Sequence, residues 1–279
     1  MAPVPGPSDE QWIQAFRRAV EVQKSIFAEH RGIAARSEYE GVGEGGDRTL
    51  VIDRLCEDAL FAELESLHRD GHEFVAVAEE RGTVAFGDAE GAPWIVLDPI
   101  DGSLNARRTV PCHSVSIAVA TGASMAEVHL GFVYEFGADE EFVAASGRGA
   151  TLDGEAIAAP AGDGLELVAL EASKPSRVVA ACRELDGRAY RIRSPGTIAV
   201  GLCYLAAGRF DGIITTRPCR SVDAAAGQLI AREAGAEVSF GGAELERTPL
   251  QLAARYHVAA ARTAPDLAVL EAAQAAVEA

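Results

Sequence analysis

Two aspartates, Asp98 and Asp101, follow the apolar run in the segment PWIVLDPIDGSLN. The proline between them fixes φ and favours an extended conformation for Asp98, so we expect the chain to turn here and both carboxylates to point to one place. Gly102 allows a close backbone approach, and its N–H with those of Ser103 and Leu104 is suited to bind an anion at a helix start. A metal-and-phosphate site is one interpretation. An aspartate-rich turn that caps a helix is the other.

Other acids also stand beside apolar segments. Glu79 and Glu80 end the strand-like run FVAVAEE, where adjacent like charges are unfavourable unless a cation or solvent relieves them. Asp223 opens the apolar segment SVDAAAGQLIAREAG, a position that also suits a helix cap or a partner of the helix dipole. Each acid has an ordinary explanation of its own, and these explanations are independent of one another.

The composition is that of a globular protein with a strongly acidic balance. The 279 residues, 48% of them apolar, suffice for one large domain or two modest ones. A net charge of -17 repels nucleic-acid phosphates and anionic membranes, so neither is an expected partner. The same charge repels a small phosphorylated substrate, so metal ions or concentrated arginine must reverse its sign inside any phosphate site.

Targeting signals are not evident in the sequence. The first residues, MAPVPGPSDEQW, lack a basic region followed by an apolar stretch, and no run of about 18 apolar residues occurs. The five cysteines are odd in number and contain no CxxC pair, which indicates free thiols. We therefore expect a cytoplasmic protein.

The hydrophobic pattern predicts two helices, then a series of strands, then alternating strands and helices. The first helix covers residues 9–31 after a Ser8 cap, and the second ends near Gly71. The strands that follow indicate an α+β half over residues 1–155. From residue 165 the alternation indicates an α/β half, within a second domain placed at residues 156–279.

The ordered motifs ALFAEL, AVAEE, WIVLDPIDGSLN, PCHSVSIAVA, RSPGTIAVGLCYLAAGRFDG and SVDAAAGQLIAREAGAEV cover most of the chain. Together they resemble the inositol monophosphatase superfamily, which includes archaeal-type fructose-1,6-bisphosphatases. The resemblance implies an α+β fold built as a layered αβαβα sandwich, assembled as a homodimer. It also implies Mg²⁺-dependent hydrolysis of a small phosphorylated substrate, such as inositol monophosphate or fructose 1,6-bisphosphate.

Carried over position by position, the resemblance implies a two-metal site. Glu79, Asp98 and the carbonyl of Ile100 would hold a first Mg²⁺, and Asp98, Asp101 and Asp223 a second. Oxygen ligands are what Mg²⁺ requires, and two such ions suit the in-line displacement of a phosphoryl group.

The resemblance also assigns catalytic and substrate-binding positions. Asp53 and Ser103 would orient the attacking water, and Glu79 is counted with them as catalytic. The residues expected to contact the substrate are Asp101, Gly102, Ser103, Leu104, Ser194, Gly196, Thr197, Arg217 and Arg220.

Two features point beyond the shared pattern. Arg217 and Arg220 stand beside Thr216, where several inositol phosphatases carry a glutamate, and two cations suit a substrate with a second phosphate. Alternatively, both arginines simply solvate a loop or pair with surface acids. The Gly-rich loop of residues 36–47 is expected to be mobile, and closure over a third, weaker metal is a further hypothesis.

Several alternatives stay open. A 3'-phosphoadenosine 5'-phosphate phosphatase or a histidinol-phosphate phosphatase would share the metal core, and a regulatory protein would keep the fold without catalysis. An aspartyl-phosphate mechanism of the haloacid dehalogenase type is disfavoured, because it needs acids at alternate positions whereas Asp98 and Asp101 are three apart. His113, alone among apolar residues, is expected to be a core group.

Overall fold

The amphipathic segments of the chain form helices close to the predicted positions. The structure, a computed structural model, describes residues 6–46, 48–88, 90–158, 164–171 and 174–277. Its α-helices are α1 (Asp9–Glu29), α2 (Val51–Arg69), α3 (Ser103–Arg108), α4 (Pro175–Leu185), α5 (Ile198–Ala206), α6 (Ser221–Glu233) and α7 (Ala264–Ala275). Ser8 caps α1 as predicted, since its hydroxyl accepts the N–H of Gln11 at 3.3 Å. None of the helices in the described residues is both long and apolar enough to cross a membrane.

Eight strands from the first half of the chain form one mixed sheet. They are β1 (Phe74–Ala78), β2 (Gly82–Phe86), β3 (Trp94–Asp101), β4 (Ser114–Ala120), β5 (Val128–Glu135), β6 (Glu140–Ala145), β7 (Ala150–Leu152) and β8 (Glu155–Ala156). Their order is β2-β1-β3-β4-β5-β6-β7-β8, and β1 and β3 are parallel whereas the other neighbours are antiparallel. β2 was missed at the sequence level because only its two ends are buried.

A second sheet comes from the rest of the chain. Its strands are β9 (Leu165–Glu171), β10 (Ala189–Arg193), β11 (Gly212–Thr215), β12 (Glu237–Ser239) and β13 (Ala259–Ala261), in the order β10-β9-β11-β13-β12. The first three are parallel, as the predicted alternation requires, and the last two are antiparallel additions. β13 escaped the sequence analysis because three alanines carry no strand signal.

Helices cover both faces of each sheet, so the fold has five layers. α1 and α2 pack on the outer face of the first sheet, where Trp12 lies 5.2 Å from Phe74 between ring centroids and Phe16 lies 5.6 Å from Phe132. α5 and α6 are buried between the two sheets, and α4 and α7 cover the far face of the second sheet. The predicted α+β fold with αβαβα layers is confirmed.

The central helix layer packs directly against the first sheet at Gly131 of β5. A Cβ atom built on Gly131 would lie 2.8 Å from the backbone carbonyl oxygen of Ala226 in α6. The glycine thus allows α6 to approach the sheet at van der Waals distance. This approach matters for the site below, because α6 carries Asp223 in its first turn.

Replacing Gly131 with alanine is therefore expected to destabilise the fold by about 1–3 kcal/mol, because α6 or β5 must move to admit one methyl group. Chemical denaturation gives the measurement. Gly6→Ala is the matched control, since its added Cβ would meet only the side chain of Pro93 at an ordinary 3.4 Å. A Gly131→Ala protein as stable as the control would show that the layers are not packed this closely.

Candidate metal centre and substrate cavity

Two parallel strands place the first two acids side by side. Ala78 pairs with Leu97 across β1 and β3, so the next residue on each chain, Glu79 and Asp98, lies at the same level. Each apolar strand holds its acid at the edge of the buried sheet, since β1 is fully buried and β3 is buried from its second residue onward. Register in the sheet therefore determines this part of the site.

β3 continues to Asp101, so the turn expected at Asp98 and Pro99 does not form. Between these aspartates the pairing with β4 shifts, since Asp98 lies opposite Ser116 and Asp101 opposite Ser114. One extra residue on β3 makes a β-bulge, which accommodates Pro99 because proline has no N–H for the ladder. The bulge, and not a turn, presents the aspartates, and the backbone leaves the strand at Gly102 with φ 91°.

Asp223 reaches the same place from the central helix layer. It is the third residue of α6, and its Oδ2 accepts the backbone N–H of Arg220 at 2.7 Å. The hydroxyl of Ser116, directly opposite Asp98 in the sheet, donates to the carbonyl of Val222 at 3.3 Å. This bond ties the start of α6 to the strand pair, and sequence reasoning missed Ser116 because nothing distinguished it within an apolar strand.

The result is a cluster of three carboxylates. One oxygen each from Glu79, Asp98 and Asp223 lies within 4.8 Å of the others. Burial raises the pKa of Glu79 to about 8 and the pKa of Asp98 well above its ordinary value, and the neighbouring acids add to both shifts. Because these pKa values rise on folding, ionising the cluster costs stability as pH increases through the ordinary carboxyl range toward the folded values.

A divalent cation bound by oxygen ligands would remove this cost. The ligand atoms on offer are carboxylate oxygens alone. Mg²⁺ prefers such oxygen ligands, whereas softer metals prefer nitrogen or sulfur. The three oxygens are also close enough to share one ion. The residues present therefore fit Mg²⁺.

Asp101 lies beside the cluster and is held by a different helix. Its Oδ2 accepts the hydroxyl of Thr197 and the backbone N–H of Ala199, the latter at 2.6 Å. Burial and the Asp223 charge raise the pKa of Asp101 to about 7, while the two hydrogen bonds oppose this shift. One oxygen of this predicted ligand is thus engaged by the start of α5, so Thr197 positions Asp101 within the cavity.

Asp53 contributes a buried carboxylate from the first turn of α2. Its Oδ2 accepts the N–H of Leu50 at 3.3 Å, whereas its Oδ1 has no hydrogen-bond partner among the described residues. Burial and the charge of Glu80 raise the pKa of Asp53 to about 7. A buried acceptor without a donor is suited to a water molecule in the cavity.

The remaining residues of the DPIDGS motif line the same cavity. The hydroxyl of Ser103 donates to the carbonyl of Ile100 at 2.9 Å, so this predicted metal-binding carbonyl already accepts one bond. α3 begins at Ser103, as predicted, and first-turn N–H groups of a helix lack acceptors within it. Leu104 exposes 62% of its surface at the cavity wall.

The cavity measures about 540 Å³ and gathers most of the predicted site. Predicted site residues that line it are Asp53, Glu79, Asp98, Ile100, Asp101, Gly102, Ser103, Leu104, Gly196, Thr197, Arg217, Arg220 and Asp223. Ser194 does not line it, and its hydroxyl donates to the carbonyl of Leu170 at 2.8 Å. His113 is buried beside Phe27, with ring centroids 5.0 Å apart, which agrees with its assignment to the core.

Arg220 lies among the acids. Its Nη2 is 2.5 Å from Oε1 of Glu79, and its Nε is 3.9 Å from Oδ1 of Asp223. Its Nη1 also donates to the carbonyl of Gly45 at 3.4 Å. A guanidinium in this position partly neutralises the cluster, and it lowers the pKa values of both acids against the effect of burial.

The Gly-rich loop of residues 36–47 is attached to the end of β1. The N–H groups of Glu44 and Gly45 donate to the carbonyls of Glu80 and Glu79 at 3.0 and 2.9 Å. These bonds fix the loop beside the carboxylate cluster. Asp47, the last residue of the loop, lies outside the described residues.

Two further residues of the site were not predicted. Glu171, the buried last residue of β9, lines the cavity and accepts the N–H of Gly196 at 3.1 Å. Asn105 of α3 donates to the carbonyls of Cys112 and Pro195 at 2.8 and 2.7 Å, which joins α3 to the turn before α5. An acid at the end of an apolar strand was a usable signal for Glu171, since the same signal identified Glu79.

Comparison with known proteins agrees with this architecture. The inositol monophosphatase family model matches residues 8–278. A fructose-1,6-bisphosphatase/inositol-1-monophosphatase of Methanothermobacter thermautotrophicus is 32% identical over 238 residues, 81% of this chain and 82% of the relative. The protein of the same name from Archaeoglobus fulgidus is 31% identical over 255 residues, 88% and 94% of the two chains.

A solved structure gives the same result. The crystal structure of an inositol monophosphatase-fructose 1,6 bisphosphatase matches with a TM-score of 0.81 at 26% identity, and the match covers 94% of this chain and 99% of the other. The match to the family model spans nearly the whole chain, and the two archaeal relatives exceed 30% identity over most of their length. The chain therefore belongs to the inositol monophosphatase family.

Proposed function

We propose that the protein is a Mg²⁺-dependent phosphatase that hydrolyses small phosphate monoesters, with inositol monophosphate and fructose 1,6-bisphosphate as the substrates to test first. The names of its archaeal relatives support both substrates. The observation that carries the proposal is the largely buried cluster of Glu79, Asp98 and Asp223. It shares one cavity with Oδ1 of Asp53, which has no hydrogen-bond partner among the described residues. Assembly as a homodimer is part of the proposal and rests on the resemblance alone.

The cluster would hold Mg²⁺ through Glu79, Asp98 and Asp223, with Asp101 and the carbonyl of Ile100 beside it. Bound Mg²⁺ supplies charge neutralisation, a more acidic water and stabilisation of the leaving oxygen. The phosphate would otherwise meet a strongly repulsive surface, because the protein carries a net charge of -17.

The chain's own residues then orient the reactants. Oδ1 of Asp53 accepts a proton from the attacking water, and the hydroxyl of Ser103 helps to hold this water near the Ile100 carbonyl to which it donates. N–H groups in the first turn of α3 bind phosphate oxygens. Thr197 and Ala199, at the start of α5, hold Asp101 in place because both donate hydrogen bonds to its Oδ2.

The Asp98→Asn variant tests the metal site. It removes a buried charge and keeps an oxygen that accepts the N–H of Ile100, a bond of 2.9 Å in the wild type. In EDTA at pH 8 we expect a melting temperature equal to or above that of the wild type, because the ionised cluster loses one repelling charge. Mg²⁺ should raise the melting temperature of the wild type but not of the variant, and phosphate release should be lost.

Glu135→Gln is the control for this variant. Glu135 is equally buried but lies outside the cavity, and it accepts the hydroxyl of Tyr204 at 2.7 Å, which glutamine can also do. This control should keep both Mg²⁺ stabilisation and phosphate release. Unchanged phosphate release by Asp98→Asn would refute the proposed metal site.

The Asp53→Asn variant separates water activation from metal binding. We expect kcat to fall about 10²- to 10⁴-fold, because amide oxygen is a poor proton acceptor, while Mg²⁺ still raises the melting temperature. Glu57→Gln is the control, since Glu57 lies one turn later on α2, is buried and does not line the cavity. Equal loss of activity in both variants would point to a general effect of charge on α2.

The substrate itself is identified by phosphate release in Mg²⁺ and in EDTA. The panel comprises inositol 1-phosphate, fructose 1,6-bisphosphate, histidinol phosphate and 3'-phosphoadenosine 5'-phosphate. We expect turnover of one of the first two, abolished by EDTA. Absence of turnover across the panel would contradict the proposal and favour a regulatory protein.

A further inference from the structure

A second cavity, of about 350 Å³, lies outside the cavity of the candidate metal centre, which we now call the first cavity. Its walls come from the end of α7, the turn after β12 and the approach to β13. We call it the α7 cavity, and its lining residues are Gly241, Gly242, His257, Glu271, Gln274 and Ala275. None of these residues lines the first cavity. The volume is that of a small-molecule site, so a compact ligand fits inside.

Gln274 is a fixed and buried polar side chain of this cavity, with 5% of its surface exposed. Its Nε2 donates to the carbonyls of Thr215 and Val258 at 2.9 and 2.8 Å, so both amide protons are used within the protein. These two carbonyls also fix the orientation of the amide group, because only its NH₂ can donate to them. Its Oε1 accepts no hydrogen bond from the described residues. This oxygen is therefore suited to accept an N–H or O–H group of a ligand.

The charge around this oxygen is negative. Glu271 lies three residues before Gln274 on α7, a spacing that places both side chains on one face of the helix. The partly exposed Glu271 carboxylate forms no ion pair or hydrogen bond with the described residues. The carboxyl end of a helix also carries partial negative charge, and α7 has no basic residue in its last turn. The α7 cavity therefore favours a cation over an anion.

The cation that fits this cavity is organic and not a metal ion. Among the described residues, three metal-binding side chains come together only in the cluster of Glu79, Asp98 and Asp223. The α7 cavity offers one carboxylate and one amide oxygen beside small residues. Gly241 and Gly242, with positive φ of 62° and 77°, have no side chains that could fill it. An ammonium group donates three hydrogen bonds from a compact head, and a short carbon chain attached to it would occupy the remaining space.

Residues of the α7 cavity hold the end of β11. The carbonyl of Thr215, the last residue of this strand, accepts Nε2 of Gln274 and lies 3.2 Å from Nδ1 of His257. Gln274 also donates to the carbonyl of Val258, whose own N–H donates to the hydroxyl of Thr215 at 2.9 Å. A ligand that engages Gln274 thus contacts a side chain that is bonded directly to the end of β11.

The chain that follows β11 enters the first cavity. Residues 216–220 carry Arg217 and Arg220, and both arginines line that cavity. Near the end of this segment, Cys219 exchanges backbone hydrogen bonds of 2.9 and 3.2 Å with Tyr256, which directly precedes the His257 of the α7 cavity. Both ends of the segment are therefore bonded to residues in or beside the α7 cavity, which gives a direct route between the two cavities.

We infer that the α7 cavity is an effector site for a small organic cation with a primary ammonium group. The Glu271 carboxylate and Oε1 of Gln274 accept its N–H groups, and its carbon chain fills the rest of the cavity. The bound cation biases the position of residues 216–220 and so alters catalysis in the first cavity. Binding goes beyond the proposed phosphatase function and does not depend on it, whereas the effect on hydrolysis rests on that function.

Binding is measured by NMR titration of the ¹⁵N-labelled protein in saturating Mg²⁺ at neutral pH. The probes are n-butylamine and 1-butanol, which match in chain length and differ in charge. We expect n-butylamine to shift the amide signals of Glu271 and Gln274 saturably, with a dissociation constant in the millimolar range for so few atoms. 1-Butanol should bind about tenfold more weakly, because it lacks the charge. Equal binding of both probes, or no saturable shift with n-butylamine, would overturn the inference.

The Glu271→Gln variant keeps the shape of the side chain and removes its charge, so we expect n-butylamine to bind about tenfold more weakly. Glu184→Gln is the matched control, because Glu184 is an exposed carboxylate on α4 and lines neither cavity. It removes the same charge and should leave binding unchanged. Equal losses in both variants would show that only the overall charge attracts the amine, and the site would be refuted.

The effector role is tested with Ala275→Leu, which adds three carbon atoms to the cavity wall from an exposed position on α7 and therefore keeps the fold. In the wild type we expect n-butylamine to change KM of the hydrolysed ester about fivefold or more. In Ala275→Leu, whose cavity is filled, the amine should have no effect. Binding to the wild type without any change in kcat or KM would contradict the effector role.

Failure of the phosphatase proposal is distinguishable from failure of the effector site. If the wild type hydrolyses no ester, the amide signals of residues 216–220 in the same NMR titration decide the coupling. Shifts of these signals in the wild type but not in Ala275→Leu support the effector site. Shifts confined to the residues that line the α7 cavity overturn it.

Discussion

Mutual repulsion among buried carboxylates is the constraint on which the site depends. Glu79, Asp98, Asp101 and Asp223 are brought together in a low-dielectric crevice, and burial raises the pKa of every one of them. A fold that gathers four acids without a neutralising cation loses stability, so the packing around these acids must contribute enough free energy to keep the protein folded. The acids are the part of the molecule that stability alone would not select.

The five-layer fold supplies that packing by bringing each acid from a well-anchored element. Parallel pairing of β1 with β3 sets Glu79 against Asp98, and the bulge in β3 sets Asp101. The fourth acid, Asp223, comes from α6, which is buried almost throughout between the two sheets. Because the elements are held by large apolar contacts, the acids have little freedom to move apart.

The sequence singled out the acids that the fold brings together, but not the side chains that contact them. Glu79 and Asp98 stand out because each follows an apolar run, and Asp223 because it opens an apolar helix, but only the family resemblance implied that they share a metal site. The bulge was not foreseen, since register depends on the partner strand. The pairing of Arg220 with Glu79 was missed for the same reason, because these residues lie 141 positions apart in sequence and meet only in the folded chain. Short strands such as β13 lack any local signal.

The carboxylates of Glu79, Asp98 and Asp223, which we call the cavity floor, and the arginines that line the cavity wall carry opposite charges. The binding of a cation and the binding of an anion in this cavity are therefore interdependent. With the floor uncompensated, a phosphate that approaches Ser103 meets the field of the carboxylates, which the arginines of the wall only partly offset. A cation bound by these carboxylates would remove that field, and a phosphate bound beside it would in turn favour the cation. By thermodynamic linkage, the factor by which the cation raises the affinity for phosphate equals the factor by which phosphate raises the affinity for the cation. If the protein acts as proposed, the acidic floor that destabilises the fold is also the means by which this strongly acidic protein accepts an anionic substrate.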